Sequence, residues 1–315
     1  MTAQPKPFVF LLLPNYSLLG LSAAVEVLRV ANRMAGATLY SWQMMSYEGG
    51  LFSSSGDIKL DTSPMGEITP QISKFVICGG DGSENLTDAK TVSFVRKQAR
   101  YAEMSGAISD GSYLAAHAGL FDGYRSTIHW QCHDGYVEKN PTLEVTRKIY
   151  EIDRDRFSCA GGVAAFDLFL KLVEQDHGRN LSLSIAENAV VGDMRPQESG
   201  QRLNPSFKFA ANNPHLGRVM EAMEQHLENP ISVKTLAGNE GITLRQLGRL
   251  FNQHTGETPS QFYMGLRVRR AAYLLRQTGM SVEEISVACG FASSSHLAKN
   301  FQRTWGVNPR DYRTK

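Results

Sequence analysis

The chain has 315 residues, 42% of them hydrophobic and 20% charged. That balance excludes collagen-like and wholly disordered chains, and at about 100–200 residues per domain it gives two domains, or three small ones. The formal net charge of +2 hides an asymmetry. Residues 1–213 carry 20 Lys and Arg against 23 Asp and Glu, whereas residues 214–315 carry 13 against 8. An acidic front and a basic tail imply different partners for the two parts. The longest early apolar run, Phe8–Leu13, stops at Pro14, far short of the roughly 20 residues of a membrane span. It also lacks the basic flank and the cleavage site of a signal peptide. Cys78, Cys132, Cys159 and Cys289 form no CxxC and no Cys/His cluster, so reduced thiols, a cytoplasmic location and no metal or other cofactor are expected.

In chain order, Phe8–Leu13 is an all-apolar run of the kind that forms a buried parallel strand. Leu18 to Arg33 follows at helical spacing, with Leu21, Ala24, Val25 and Leu28 on one stripe. Tyr40–Tyr47 alternates weakly, as a strand does. Phe75–Cys78 is a second buried strand, closed by Gly79-Gly80-Asp81-Gly82. A helix is predicted over 88–104, a very short strand over Gly106–Ile108, and a helix from Ser112 to Ala118. Gly161-Gly162 opens a further apolar helix that runs through Val173. Strand–helix alternation with glycines at strand ends predicts an α/β parallel sheet. Ligands of such sheets bind beyond the carboxyl ends of the strands, which directs attention to the turns after Leu13, Cys78 and Ile108. Residues 195–213, with Pro196 and Pro205 among polar residues, Pro214 directly after them and no periodicity, read as a linker. They divide a front domain (1–194) from an all-α tail (214–315).

The tail begins with an amphipathic helix over 215–228, striped by Leu216, Val219, Met220, Met223 and Leu227. Two segments then echo each other. Leu236, Gly241 and Ile242 recur as Ile285, Gly290 and Phe291, and Leu247, Phe251, Gly256, Pro259 and Phe262 recur as Leu297, Phe301, Gly306, Pro309 and Tyr312. The spacing is 49 in the first group and 50 in the second, so the one-residue change falls in the turn. Each copy reads as helix, Gly turn, helix: two helix-turn-helix units, at 232–254 and 281–304, joined by one helix from Pro259 to Thr278. On the second helix of the first copy, Leu247, Leu250 and Phe251 turn inward and leave Arg245, Gly248, Arg249 and Asn252 outward. In the second copy, Leu297 and Phe301 turn inward, while Ser294, Ser295, His296 and Lys299 are the groove candidates. Arginine bridges phosphates or forks onto guanine.

The text SVEEISVACGFASSSHLAKNFQRTWGVNPRDYR, residues 281–313, resembles the AraC/XylS-type DNA-binding domain. Ser286 departs from that pattern, where alanine is usual, and Gly248 sits inside a recognition helix at a cost of about 1 kcal/mol in helix propensity. The resemblance places Arg245, Arg249, His296 and Lys299 at positions that often contact DNA. The front domain resembles the PfpI/ThiJ-like domain of the class I glutamine-amidotransferase superfamily, a flavodoxin-like fold. The resemblance rests on FVFLLLP, Glu26 in the first helix, CGGDG at 78–82, and GSYLAAHAGLFDGYRSTIHW at 111–130. Together the two parts resemble the GlxA-type branch of the AraC regulators. Enzymatic relatives carry a cysteine on a strained strand-to-helix turn, with a histidine beside it and the counterpart of Glu26 close by. Here the turn holds Ser109 and Asp110, so thiol and base are both missing.

A serine nucleophile needs a base within reach, and His129 and His133 are only the nearest in sequence. The expectation is therefore no enzyme but a regulator, acting as an activator. The alternatives are an amidase- or hydrolase-like enzyme that uses Ser109 and carries a DNA-targeting tail, and a constitutive binder whose front domain only dimerises. The old active site, taken as Glu26, Gly80, Asp81, Ser109, Asp110, Tyr113, His129 and Trp130, becomes a sensor pocket. Its acids and aromatic faces suit an ammonium group, and the helix N-terminus after Ser109 suits the carboxylate of an amphoteric ligand. The resemblance implies an amino acid or a betaine- or carnitine-like quaternary amine as effector, a homodimer, promoter DNA and RNA polymerase as partners, and no membrane.

Overall fold

The computed structural model describes residues 4–66, 72–191, 194–201 and 213–313. The chain divides into two compact units, with the division between Gln201 and Arg202.

In the front unit, β1 (Lys6–Leu12), β2 (Tyr40–Ser46), β5 (Lys74–Cys78), β6 (Met104–Ile108) and β10 (Arg156–Cys159) run parallel in the order β2-β1-β5-β6-β10. The sheet extends on one side through β4 (Lys59–Pro64) to an antiparallel β3 (Gly50–Ser53), and on the other to an antiparallel β9 (Tyr150–Asp153). β7 (Arg125–Thr127) and β8 (Glu144–Thr146) form a separate parallel pair. The five parallel strands have the flavodoxin-like order, with its switch point between β1 and β5.

Strand β1 explains why this run is apolar throughout. Phe8, Phe10 and Leu12 face a core shared with α1 (Leu18–Ala35), α5 (Ala164–His177) and α6 (Arg179–Asn188). Val9, Leu11 and Leu13 face the opposite core, which includes residues of α2 (Ala89–Tyr101) and α3 (Gly111–His117). A strand covered on both faces has no polar side to show. Helix α1 starts where Ser17 accepts the Gly20 amide at 3.2 Å and stops at left-handed Gly36, the ordinary start and stop devices of a helix.

The predicted linker starts too early. Residues 194–201 are bonded to the front unit. The amide and guanidinium of Arg195 both donate to the buried Asp167 carboxylate, Gln197 donates to Glu151, and the Gln201 amide donates to Thr127, Ile128 and Lys148. The remainder of that stretch, 202–212, lies outside the described residues.

The second unit holds α7 (Pro214–Gln225), α8 (Val233–Asn239), α9 (Leu244–Thr255), α10 (Pro259–Gln277), α11 (Val282–Ala288), α12 (Ser294–Trp305) and α13 (Pro309–Arg313). It has two cores. Leu216, Met220, Leu236, Leu247, Phe251 and Tyr263 fill the first; Ala271, Leu275, Ile285, Phe291, Leu297 and Phe301 fill the second. Helix α10 contributes to both, so it joins the two halves through packing as well as through the chain. The repeat is structural down to the punctuation. Gly241 and Gly290 turn at φ 67° and 69°, and Gly256 and Gly306 end the recognition helices at φ 72°. Thr243, Thr258 and Ser281 each close a capping box with the residue three positions on. The departure at Ser286 is accommodated, because its buried hydroxyl donates to the Glu283 carbonyl at 2.7 Å.

Arg195→Ala removes the side chain opposite a carboxylate that is only 3% exposed and leaves it the Arg195 amide alone. The front unit should lose about 2–3 kcal/mol, measured as a lower denaturation midpoint in urea. A shift below a tenth of that would mean water replaces the arginine.

Candidate functional site

The ends of β1, β5, β6 and β10 are level. Leu12 pairs with Cys78, Cys78 with Ile108, and Cys159 with Ile108. The next residue after β6 is Ser109, held at φ 56°, the left-handed region that costs a non-glycine residue of order 1–3 kcal/mol. Its amide donates to the Cys159 carbonyl, and its carbonyl accepts from Ser112 as α3 begins. The strained strand-to-helix turn is therefore present with a serine in it.

The chemistry around that serine is acidic. The Ser109 hydroxyl lies 3.5 Å from an Asp110 carboxylate oxygen, and the Cys132 thiol donates to the same carboxylate. Burial, reinforced by the charges of Asp81 and Glu84, pushes the Asp110 carboxyl up from 3.8 to about 6. Burial and the Asp110 charge push the Cys132 thiol up as well, so it is no thiolate and no nucleophile. Tyr113 is buried, donates to the Cys132 carbonyl at 3.3 Å and stacks edge-on against Tyr136. His129 is half-buried, and burial lowers its pKa; its Nδ1 accepts the Gln131 amide, and its ring lies against the more exposed Trp130. Among the described residues no histidine is hydrogen-bonded to Ser109. An oxygen nucleophile there has only a neighbouring carboxylate and no imidazole to take its proton.

The predicted set is brought together in part. Ser109 meets Asp110, the Asp110 charge acts on Tyr113, and Asp81 acts on both Asp110 and His129, with Trp130 against the His129 ring. Gly80 is buried and supplies backbone: it bridges to Tyr16, and a Cβ there would fall 1.7 Å from the Asn15 carbonyl. Glu26 is not part of the group. It lies on the exposed face of α1 in a bidentate pair with Arg29, which holds its carboxyl below the usual range. The α1 residue that meets the turn is Gly20, whose Cβ would sit 2.8 Å from Ile108 and 3.5 Å from the Gly162 amide. Six residues further on is about 9 Å along the axis and on another face. Glu84 and Cys132, absent from the predicted set, belong to the group. Nothing local marks either one, since Glu84 lies in a single 3-10 turn (Ser83–Asn85) and Cys132 just ahead of a short helix (His133–Lys139), where no periodicity shows. The carboxylate of Asp110 also stands at the start of α3, where a ligand carboxylate would meet a like charge. A separate cavity of about 710 Å³ lies between α5, α6 and residues 194–196, and takes no residue of the turn.

In the second unit, Arg245, Arg249 and Asn252 on α9 are exposed, as are Ser295, His296 and Lys299 on α12, while Ser294 is half-buried. The His296 ring rests edge-on against Phe291 at 5.5 Å. Gly248 faces open space within an unbroken α9. Both recognition helices thus present an uncovered polar face over the buried residues expected for them.

A raised carboxyl makes a signed prediction. Because Asp110 titrates higher in the fold than in the unfolded chain, its contribution is present below about pH 4 and is lost as pH rises to about 6. Asp110→Asn should therefore raise the unfolding free energy of the front unit by about 1–3 kcal/mol at pH 7.5 and leave it nearly unchanged at pH 3.5. Equal effects in calorimetry at both pH values would contradict the assignment.

Comparison with known proteins assigns both units. The Helix-turn-helix domain family matches residues 236–315, and the DJ-1/PfpI family matches residues 8–175. The HTH-type transcriptional regulator CdhR of Pseudomonas aeruginosa is 40% identical over 306 residues, covering 96% of this chain and 90% of that one. GbdR of the same species, also an HTH-type transcriptional regulator, is 36% identical over 310 residues, 98% and 84% of the two chains. GlxA of Rhizobium meliloti is 30% identical over 309 residues, 97% and 95%. Among solved structures, a ThiJ/PfpI family protein from Pseudomonas syringae has a TM-score of 0.55 at 19% identity, covering 76% of this chain and 92% of its own. At that identity the likeness is one of fold.

Proposed function

The chain belongs to the GlxA-like branch of the AraC family of transcriptional regulators, with a DJ-1/PfpI front domain and a helix-turn-helix tail, and from that premise we propose that it is a DNA-binding activator controlled by a small cationic effector at the turn after β6. That it is a regulator and not an enzyme follows from its curated relatives. The effector and its site are the proposal. The observation that carries it is the cluster of Asp110, Asp81 and Glu84 beside Tyr113 and the His129–Trp130 pair. Carboxylates supply charge to an ammonium group, and aromatic faces accept a quaternary one. Asp110 is mostly ionised at neutral pH and loses that charge below about pH 6, so effector affinity should fall with it. An amino acid, a betaine-like or a carnitine-like compound meets these demands through its cationic end.

In the second unit, α9 and α12 would enter successive segments of the major groove of promoter DNA. Arg245, Arg249, Asn252, Ser295, His296 and Lys299 would face bases and phosphates, with Ser294 at the edge. Acting as a homodimer in the cytoplasm, the chain would offer four recognition helices and stand beside RNA polymerase. The modest excess of basic residues in the tail leaves specific contacts to carry much of the affinity.

Footprinting on genomic fragments at low salt, with and without a panel of glycine betaine, carnitine and arginine, tests the whole reading. A protected promoter whose occupancy or polymerase recruitment changes with one compound is expected; no protection under any condition would sink it. For the contacts, Arg249→Ala and Lys299→Ala should each weaken binding about tenfold. A lost phosphate contact also flattens the salt dependence by about one unit of slope. Unchanged affinity in both variants would remove these residues from the groove.

A further inference from the structure

Two glycines at matching places in the repeat have unlike surroundings. Gly241 and Gly290 each form the turn of a helix-turn-helix copy at nearly the same positive φ, 67° and 69°. A Cβ on Gly241 would meet nothing within 4 Å. A Cβ on Gly290 would come 2.6 Å from the Leu227 carbonyl oxygen, 2.7 Å from that of Glu228 and 2.7 Å from the Pro230 ring. Residues 227–230 connect α7 to α8 and so go with the first copy, whose core α7 shares. The turn of the second copy is thus seated backbone against backbone on the first.

Helix α10 closes the same joint from both sides. The Tyr263 hydroxyl donates to the His226 carbonyl at 2.6 Å and accepts the Ile231 amide at 3.3 Å. One turn later, on the same face of the helix, the buried Arg267 guanidinium donates to the Cys289 carbonyl at 2.8 Å and to the Gly290 carbonyl, and lies over the Phe291 ring at 4.4 Å. Each copy otherwise has its own core and its own recognition helix. The length of α10 sets how far apart the copies are; contacts across the joint set how one is rotated against the other.

We propose that this joint is a spacing gauge: Gly290, positioned by Tyr263 and Arg267, determines which separation between two DNA half-motifs a single chain accepts. The proposal rests on the DNA-binding reading above. One added base pair moves a half-motif about 3.4 Å along the duplex and turns it by about 34°. A joint in which two backbones already touch has no room to follow.

The test uses the full chain and a duplex selected from random-sequence DNA by the unaltered protein, remade with the two half-motifs one base pair closer, at the selected spacing, and one and two base pairs further apart. The repeat supplies the control. Gly241→Ala and Gly290→Ala carry the same backbone strain, and only the second also presses on the joint. The unaltered protein and Gly241→Ala should prefer the selected spacing by about tenfold or more, as a misplaced base contact costs. Gly290→Ala should bring that preference to within about threefold. Arg267→Lys, which keeps charge and stem but cannot fork onto two carbonyls, should do likewise, and it carries the test if Gly290→Ala does not fold. The ratio between spacings is the readout, because a loss of folded protein scales every duplex alike. An unchanged ratio in folded Gly290→Ala, or in Arg267→Lys when Gly290→Ala does not fold, overturns the proposal. Failure of the unaltered protein to select any DNA overturns the DNA-binding reading instead.

Discussion

Four parallel strands that end on one line impose the chemistry of the front unit. Because Leu12, Cys78, Ile108 and Cys159 lie side by side in register, the loops that leave them must turn within a few ångströms of one another. Gly79 permits this: a Cβ there would fall 2.1 Å from the Gly111 amide. The crowding sets Ser109 in a left-handed turn and buries Asp110 beneath it. Burial, in turn, is what raises both the carboxyl and the Cys132 thiol that donates to it. Geometry that in a hydrolase would aim a nucleophile here presents a cluster of acids, and function resides in such a site and not in the scaffold.

The tail obeys a different constraint. Each helix-turn-helix copy is too small to bury much apolar surface alone, and α10 relieves this by giving one end to each core. A duplicated sequence need not give two independent modules. Copies of the same turn diverge because one faces solvent and the other faces its sibling, and the cost of a side chain at Gly241 and at Gly290 differs for that reason alone. An arginine whose charge is met by carbonyl groups and an aromatic ring, as Arg267 is, is suited to such a joint by its planar fork.

Much of this was legible in the residues. The apolar runs at Phe8–Leu13 and Phe75–Cys78, the helical stripes, and the twofold recurrence of Gly, Phe and Pro each reflect periodicity, which a chain carries in one dimension. Short elements such as β9 and β10, four residues each and partly polar, have too few positions for a period to show. They are held by pairing, β10 against β6 and β9 against β10. Glu26 failed as a site residue for a related reason. The stripe of Leu21, Ala24, Val25 and Leu28 marks the buried face of α1 but not which residue reaches the turn; Gly20 does, while Glu26 pairs with Arg29 on the exposed side.

By itself the sequence determined the class of each unit, their order, the charge divided between them, and the replacement of thiol and base by Ser109 and Asp110. These are properties of composition and spacing, and they survive without coordinates. Tertiary structure alone decided which acids share a field, that Glu84 and Cys132 join Asp110 while Glu26 does not, that residues 194–201 are bound to the front unit, and that Gly290 bears on the first copy. Each of these depends on the distance between residues far apart in the chain, which only packing sets.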